Sequence, residues 1–265
     1  MADDIDRAQG RVAFGSDPAG YHAARPVYPD WVFETLHERC GLKHGAAVFE
    51  IGPGTGIATR RLLDFGANPL VAIEPDQRLA TYLRGRNPDQ ALVVAVSTFE
   101  EAALPERAFD LGVSATAFHW LEEETALAKI ARLLRPGGWW AMVSNVFGDD
   151  NRPDPFHDAT KQLLGGPSSP SRGTGSVPFA LDHEAREAAI VRDGAFEGFA
   201  SWSRVWSLSL DADQTVALYS TYSNITGRRD RSAVLAELRR IATEEFGGHV
   251  IRNMITSLCV AKRRT

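Results

Sequence analysis

The chain has 265 residues, 44% hydrophobic and 24% charged, with 29 Lys and Arg against 34 Asp and Glu and a formal net charge of −5. Such a chain buries one sizeable core and fits one large α/β domain with a small appended part. It lacks the basic face that phosphate binding requires: Arg228-Arg229-Asp230-Arg231, Arg239-Arg240 and Lys262-Arg263-Arg264 are short and interrupted, and read as solvated surface. Cys40 and Cys259 have no partner spacing and read as core thiols of a reducing compartment. Residues 1–11 have no signal-peptide core, and no run of apolar residues is long enough for a membrane span. The expected location is the cytoplasm, with no nucleic-acid or membrane partner.

Apolar strands and amphipathic helices alternate along the first half of the chain. A helix is predicted over 31–40, stopped by Gly41. Strand 46–51 runs into a glycine cluster, followed by helix 57–65 and a stop at Gly66. Strand 70–74 leads to a helix over 77–84 that Asp76 can cap. Strands 91–96 and 109–115, helix 122–134, the turn Arg135-Pro136-Gly137-Gly138 and strand 139–144 complete the series. Continuous apolar strands between helices predict a mostly parallel sheet covered on both faces, with its ligand beyond the carboxyl ends of the strands. From 147 to 178 the chain turns irregular, rich in Gly and Pro around one short helix at 155–164, as in a lid or binding loop. A helix over 180–193, a strand over 195–210, helices over 211–225 and 230–246, and a last strand over 250–262 follow.

The centre of the pattern is Val48-Phe49-Glu50-Ile51-Gly52-Pro53-Gly54-Thr55-Gly56, at a strand-to-helix junction. Glycines there let the backbone bend and a ligand approach the main chain. Where the dinucleotide pattern needs its last glycine, this chain has Ile57. A loop of this spacing, preceded by an acid, suits a ligand without phosphates whose amino-acid portion lies along it. Glu74, at the end of the next strand, is placed to accept hydrogen bonds from both hydroxyls of a ribose.

These segments resemble class I, Rossmann-like S-adenosylmethionine-dependent methyltransferases. Phe49-Glu50-Ile51-Gly52-Pro53-Gly54-Thr55-Gly56 is similar to their motif I, and Ala72-Ile73-Glu74-Pro75-Asp76 to their ribose-binding strand end. Ser97-Thr98-Phe99-Glu100 resembles the loop that brackets adenine, Phe109–Ala115 the fourth strand, and Leu133-Leu134-Arg135-Pro136-Gly137-Gly138 the turn before the fifth. Tyr21-His22-Ala23-Ala24-Arg25-Pro26-Val27-Tyr28-Pro29 and Ala117-Phe118-His119-Trp120-Leu121 resemble a subgroup of small-molecule enzymes similar to trans-aconitate methyltransferase. The resemblance covers residues 21–144 and does not extend to the substrate end.

It implies a seven-stranded, mostly parallel sheet with helices on both faces and an irregular, helical insertion after the fifth strand. Residues 1–20 would be a flexible segment and 21–144 the cofactor-binding core. Residues 145–249 would form the substrate-side insert, sixth strand and lid helices, and 250–265 the closing strand of the single domain. The cofactor would be S-adenosyl-L-methionine, leaving as S-adenosyl-L-homocysteine. Glu50, Gly52, Gly54 and Gly56 would line its methionine part, and Glu74 and Pro75 its ribose. Thr98 and Phe99 would flank adenine, Ser114 would lie near the sulfonium, and Tyr21 and Arg25 would close over the cofactor.

Methyl transfer from a sulfonium asks mainly for alignment, so a base is needed only when the acceptor arrives protonated. His119 is the candidate, as a base or as an orienting group, since imidazole titrates near neutrality. Trp120, Tyr219 and Tyr222 are expected at the acceptor, a small molecule that offers a carboxylate or hydroxyl oxygen. Asp149 and Asp150 near His157 and Asp158 match no metal-ligand spacing, and no metal is expected. A nicotinamide-dependent oxidoreductase on a related sheet and a non-catalytic cofactor-binding protein are the alternatives. Oligomeric state is not readable from the sequence.

Overall fold

The computed structural model describes residues 5–148, 152–173 and 177–265. Its strands are β1 (Val48–Ile51), β2 (Leu70–Ile73), β3 (Leu92–Ala95), β4 (Phe109–Ala115), β5 (Leu134–Phe147), β6 (Phe196–Asp211) and β7 (His249–Arg263). They form one seven-stranded sheet in the order β3-β2-β1-β4-β5-β7-β6. The first five pair in parallel, β7 runs antiparallel to β5, and β6 runs antiparallel to β7. This is the mostly parallel sheet that the alternating pattern predicts. The order turns back between β1 and β4, and in such sheets the crevice at this switch point receives ligands.

Strand β1 is buried along its whole length, which is why it reads as an unbroken apolar run interrupted only by Glu50. Phe49 and Ile51 point into one layer, shared with Phe109, Trp140 and the inner side of α6 (Glu123–Leu133). Val48 points to the other, with Leu70, Leu111 and the apolar sides of α3 (Asp30–Arg39) and α4 (Ile57–Asp64). Burying Phe49 completely contributes about 1.5–3 kcal/mol, and its ring also sets the stack of Phe99 and Trp140 around it.

Residues 5–20, read from the sequence as flexible, contain α1 (Arg7–Arg11) and the start of α2 (Pro18–Ala24). Asp17 caps α2 by accepting from the Gly20 N–H, and Pro18 opens its first turn. Pro26 then forces the chain into extended backbone at Arg25. The insert after β5 contains α7 (Pro155–Thr160), a single 3₁₀ turn at Pro170–Arg172 and α8 (His183–Val191). The expected helix over 211–225 is broken into α9 (Ala212–Ser220) and α10 (Ser223–Thr226), with Tyr222 in extended backbone between them. The helix expected over 230–246 ends as α11 (Arg231–Arg240) and relaxes into a π turn at Ile241–Glu245.

These pieces pack a third, separate core around Phe156, Leu218, Tyr219, Leu238 and Val250. It is fastened to the sheet by the buried pair of Arg252 on β7 and Asp154 at the start of α7, 3.0 Å apart.

Candidate functional site: a cleft at the switch point and a second cavity beside it

Strand β1 delivers its acid and its glycine loop to the switch point. Gly52, at φ 65°, lies so close to Ala117 that a Cβ would stand 2.6 Å from that residue's methyl. Gly54, at φ 58°, borders open space and donates its N–H to Oε2 of Glu74 at 2.9 Å. The other Glu74 oxygen accepts from the Asp76 N–H, also at 2.9 Å. Each oxygen keeps a lone pair for a further donor. Only 3% of Glu74 is exposed; burial raises its pKa to about 7, against the opposing pull of those two N–H groups. Glu50 is likewise pushed up to about 7 by burial. Its Oε2 accepts a 2.6 Å hydrogen bond from the Thr59 hydroxyl, while its Oε1 is buried with no partner. A buried carboxylate oxygen without a donor is costly and points to a cation or N–H that a ligand brings.

Both acids line a cleft of about 120 Å³ with Gly52, Gly54, Pro75 and Thr55. Tyr21, Arg25 and Trp120 form its outer wall, joined by Arg11 and Phe14. A second cavity, of about 320 Å³, shares Tyr21, Arg25 and Trp120 with the cleft and continues to His119 and Tyr222.

The N-terminal helices fix this common wall. Arg11 grips Glu100 with two bonds of 2.7 and 3.0 Å and also donates to the Trp120 carbonyl at 2.8 Å. Gly10 lies against the Trp120 indole, where a Cβ would come within 2.1 Å of the ring. Phe14 packs between Tyr21 and Trp120, at 5.6 and 6.2 Å.

Several expected residues stand elsewhere. Gly56 caps α4 in left-handed backbone with Leu83 and Asn87 beside it, outside both cavities. Phe99 does not face the cleft: its ring turns into the core and stacks on Phe49 at 6.2 Å, because a phenyl group gains more there than on a wet loop. Thr98 bonds to Glu101 and shapes the turn. Ser114 is buried inside β4 and donates to the Ile51 carbonyl at 3.1 Å, so its hydroxyl is already engaged within the sheet. Tyr219 belongs to the third core and lines neither cavity.

His119 does line the second cavity, tilted against Trp120 and Phe179. Burial first, then Arg25 and Arg7, push its pKa down to about 3. Of its two expected roles, a base or an orienting group, the depressed pKa favours the second. The acids Asp149 and Asp150 of the rejected metal reading lie outside the described residues, and no cluster of three or more His, Cys, Asp or Glu occurs among those described.

Besides Arg11 and Phe14, three further residues of the site escaped the sequence reading. Tyr28 donates its hydroxyl to Thr116 at 2.8 Å, Thr116 sits at φ 56°, and Asn145 holds the loop of Pro26 and Val27 by its side-chain amide. All three line the cleft, and Thr116, a non-glycine residue held at strained positive φ, lines the second cavity as well. The Asp17-Pro18 start signal could have placed Tyr21 on a helix, with Arg25 just past its end; nothing in the sequence announces Thr116.

Residues 49–142 match the family model described as a methyltransferase domain. Over that stretch the chain is similar to a methyltransferase domain. The methyltransferase match thus spans β1 through most of β5, the parallel half that builds the cleft. An uncharacterised methyltransferase of Mycobacterium tuberculosis is 33% identical over 139 residues, covering 51% of this chain and 53% of that protein. The chain therefore spans about half the length of the curated relatives it matches. Among solved structures, the YcgJ protein of Bacillus subtilis superposes with a TM-score of 0.58 at 13% identity, over 89% of this chain and all of that one. Phosphoethanolamine N-methyltransferase 2 of Haemonchus contortus, solved with S-adenosylhomocysteine, gives 0.56 at 13% identity, over 98% of this chain and 59% of that one. At such identities the likeness is one of fold. No helix among the described residues is long and apolar enough to cross a membrane.

Proposed function

We propose that this protein is a cytoplasmic enzyme that transfers the methyl group of S-adenosyl-L-methionine to a carboxylate or hydroxyl oxygen of a small molecule. The unpartnered Oε1 of Glu50, buried beside the glycine loop and facing the same cleft as Glu74, carries the reading. An ammonium group satisfies that oxygen, and the two free lone pairs of Glu74 suit a vicinal diol. Both are parts of one amino-acid-bearing nucleoside, and Gly54 leaves its backbone open between them. Bound there, S-adenosylmethionine supplies a methyl group already activated by its sulfonium.

The chain's own residues then have two tasks. Glu50, Glu74 and the glycine loop hold the donor, while Tyr21, Phe14 and Trp120 cover the cleft and exclude water. The second cavity aligns the acceptor, and alignment of two reactants lowers a barrier by roughly 7–11 kcal/mol. With His119 held neutral and no acid among the described residues of that cavity, a carboxylate acceptor fits directly; a hydroxyl would have to lose its proton elsewhere.

Calorimetric titration tests the reading. S-adenosylmethionine and S-adenosylhomocysteine should bind and NADPH should not. Glu74→Ala should weaken both by at least ~10-fold, the loss of hydrogen bonds to a charged group. Equal affinity of wild type and Glu74→Ala for S-adenosylhomocysteine, or no affinity in wild type, would reject it.

A further inference from the structure

The second cavity has an unusual charge make-up. Among the described residues that line it there is no Asp or Glu, and His119 contributes a neutral ring. Among those residues its wall holds two cations: Arg172, which donates to the Ser168 hydroxyl at 3.4 Å, and Arg25. This guanidinium lies between the rings of Tyr21 and Tyr222, 4.9 and 5.1 Å from their centroids, and it joins no carboxylate among the described residues. One of its NH₂ groups reaches the Thr221 carbonyl at 3.2 Å, and its Nε is buried with no partner. The Tyr222 hydroxyl is also buried without a partner, and burial holds it protonated. Two buried donors thus stand unsatisfied at one cavity, where each is expensive to leave unmade.

Aromatic groups make up much of the remaining wall: Phe14, Trp120, Phe147 and Phe179 surround the space between those donors. Rings of this kind favour a flat, apolar body, and a fork-shaped cation favours a planar oxyanion that it can bind through two oxygens.

We infer that the second cavity takes a flat aromatic monoanion, its carboxylate held by Arg25 and the Tyr222 hydroxyl and its ring lodged among Trp120, Phe147 and Phe179. The inference rests on the methyl-transfer reading, since it names the acceptor side of the same site. It assigns Arg25 to the acceptor and not to the cofactor, although this side chain borders both cavities.

Benzoate, benzamide and acetate serve as probes, titrated into the protein saturated with S-adenosylhomocysteine and followed by calorimetry. Benzamide keeps the ring and loses the charge; acetate keeps the charge and loses the ring. Benzoate should bind at least ~10-fold more tightly than either, and Arg25→Gln should remove that preference. Tyr222→Phe, which changes one hydroxyl and leaves the ring contacts, should weaken benzoate about fivefold. Arg25→Lys should fall between Arg25→Gln and wild type, because it keeps the charge without the fork. S-adenosylhomocysteine affinity should stay within ~3-fold in Tyr222→Phe, whose side chain lines the second cavity and not the cleft.

Benzoate binding no better than benzamide and acetate overturns the inference. So does an Arg25→Gln variant that loses S-adenosylhomocysteine while keeping benzoate, for the guanidinium would then serve the cofactor's carboxylate. If wild type fails to bind S-adenosylhomocysteine, the cofactor reading falls on its own. The same three probes on the ligand-free protein then decide the cavity: preference for benzoate supports it and no preference overturns it.

Discussion

The two cavities share one wall and are built by different means. The cleft at the switch point is made of strand ends, glycine backbone and two carboxylates anchored within a few residues of β1 and β2. The neighbouring cavity is made of side chains from far-separated pieces: the N-terminal helices, the turn after β4, the insert and the break before α10. In the first, main-chain geometry sets the shape and few side chains matter. In the second, each wall residue is an independent choice, so its chemistry is free to vary while the sheet stays as it is.

That contrast can be broken at several points. The largest effect should come from Asp154→Ala, which leaves Arg252 buried without its partner beneath the third core. We expect a loss of about 3–5 kcal/mol and a melting midpoint lower by roughly 10 °C. S-adenosylhomocysteine affinity should nonetheless stay within ~3-fold, since the cleft belongs to the parallel half. A parallel collapse of stability and cofactor affinity would show that the two regions are not separable.

A smaller effect concerns pH. Glu50 and Glu74 both titrate near 7 in the ligand-free cleft, and an ammonium and a diol bind best to their ionised forms. Raising the pH converts the protonated acids to the binding form, so affinity should rise with pH and level off above the free-state pKa. Between about pH 6 and 8 the gain in S-adenosylhomocysteine affinity should be about tenfold for each acid, ~100-fold with both, with proton release on binding below pH 7. A flat profile in calorimetry would place the carboxylates outside the contact.

The smallest change should follow His119→Ala. His119 lines the second cavity and not the cleft, so S-adenosylhomocysteine affinity should move by less than ~3-fold. A loss of tenfold or more would join His119 to the cofactor site and blur the division.

What was readable in the sequence follows the same line. The order of strands, the glycine loop after β1 and Glu74 at the end of β2 were legible because each is a local signal: an apolar run, a glycine spacing, an acid at a strand end. Phe99 was misplaced because spacing locates a loop but not the direction of a side chain, and the aromatic core around Phe49 and Trp140 claimed the ring. Ser114 sat on the expected strand, but its hydroxyl went to a neighbouring strand carbonyl. The break that frees Tyr222 between α9 and α10 has no Gly or Pro at its joint, and tertiary contacts with Phe147 and Arg25 set its place. The Tyr28–Thr116 bond spans two distant segments and leaves no trace in spacing.

Trp120 stands between the cavities with Gly10 pressed flat against its indole and Arg11 holding its carbonyl. The partition and the N-terminal clasp are therefore one mechanical unit. Anything that tilts this indole from the donor compartment reshapes the opposite compartment as well. By reciprocity, an occupant of the far side must alter the grip on the near one to the same degree, so the pair of ligands should sense each other without touching.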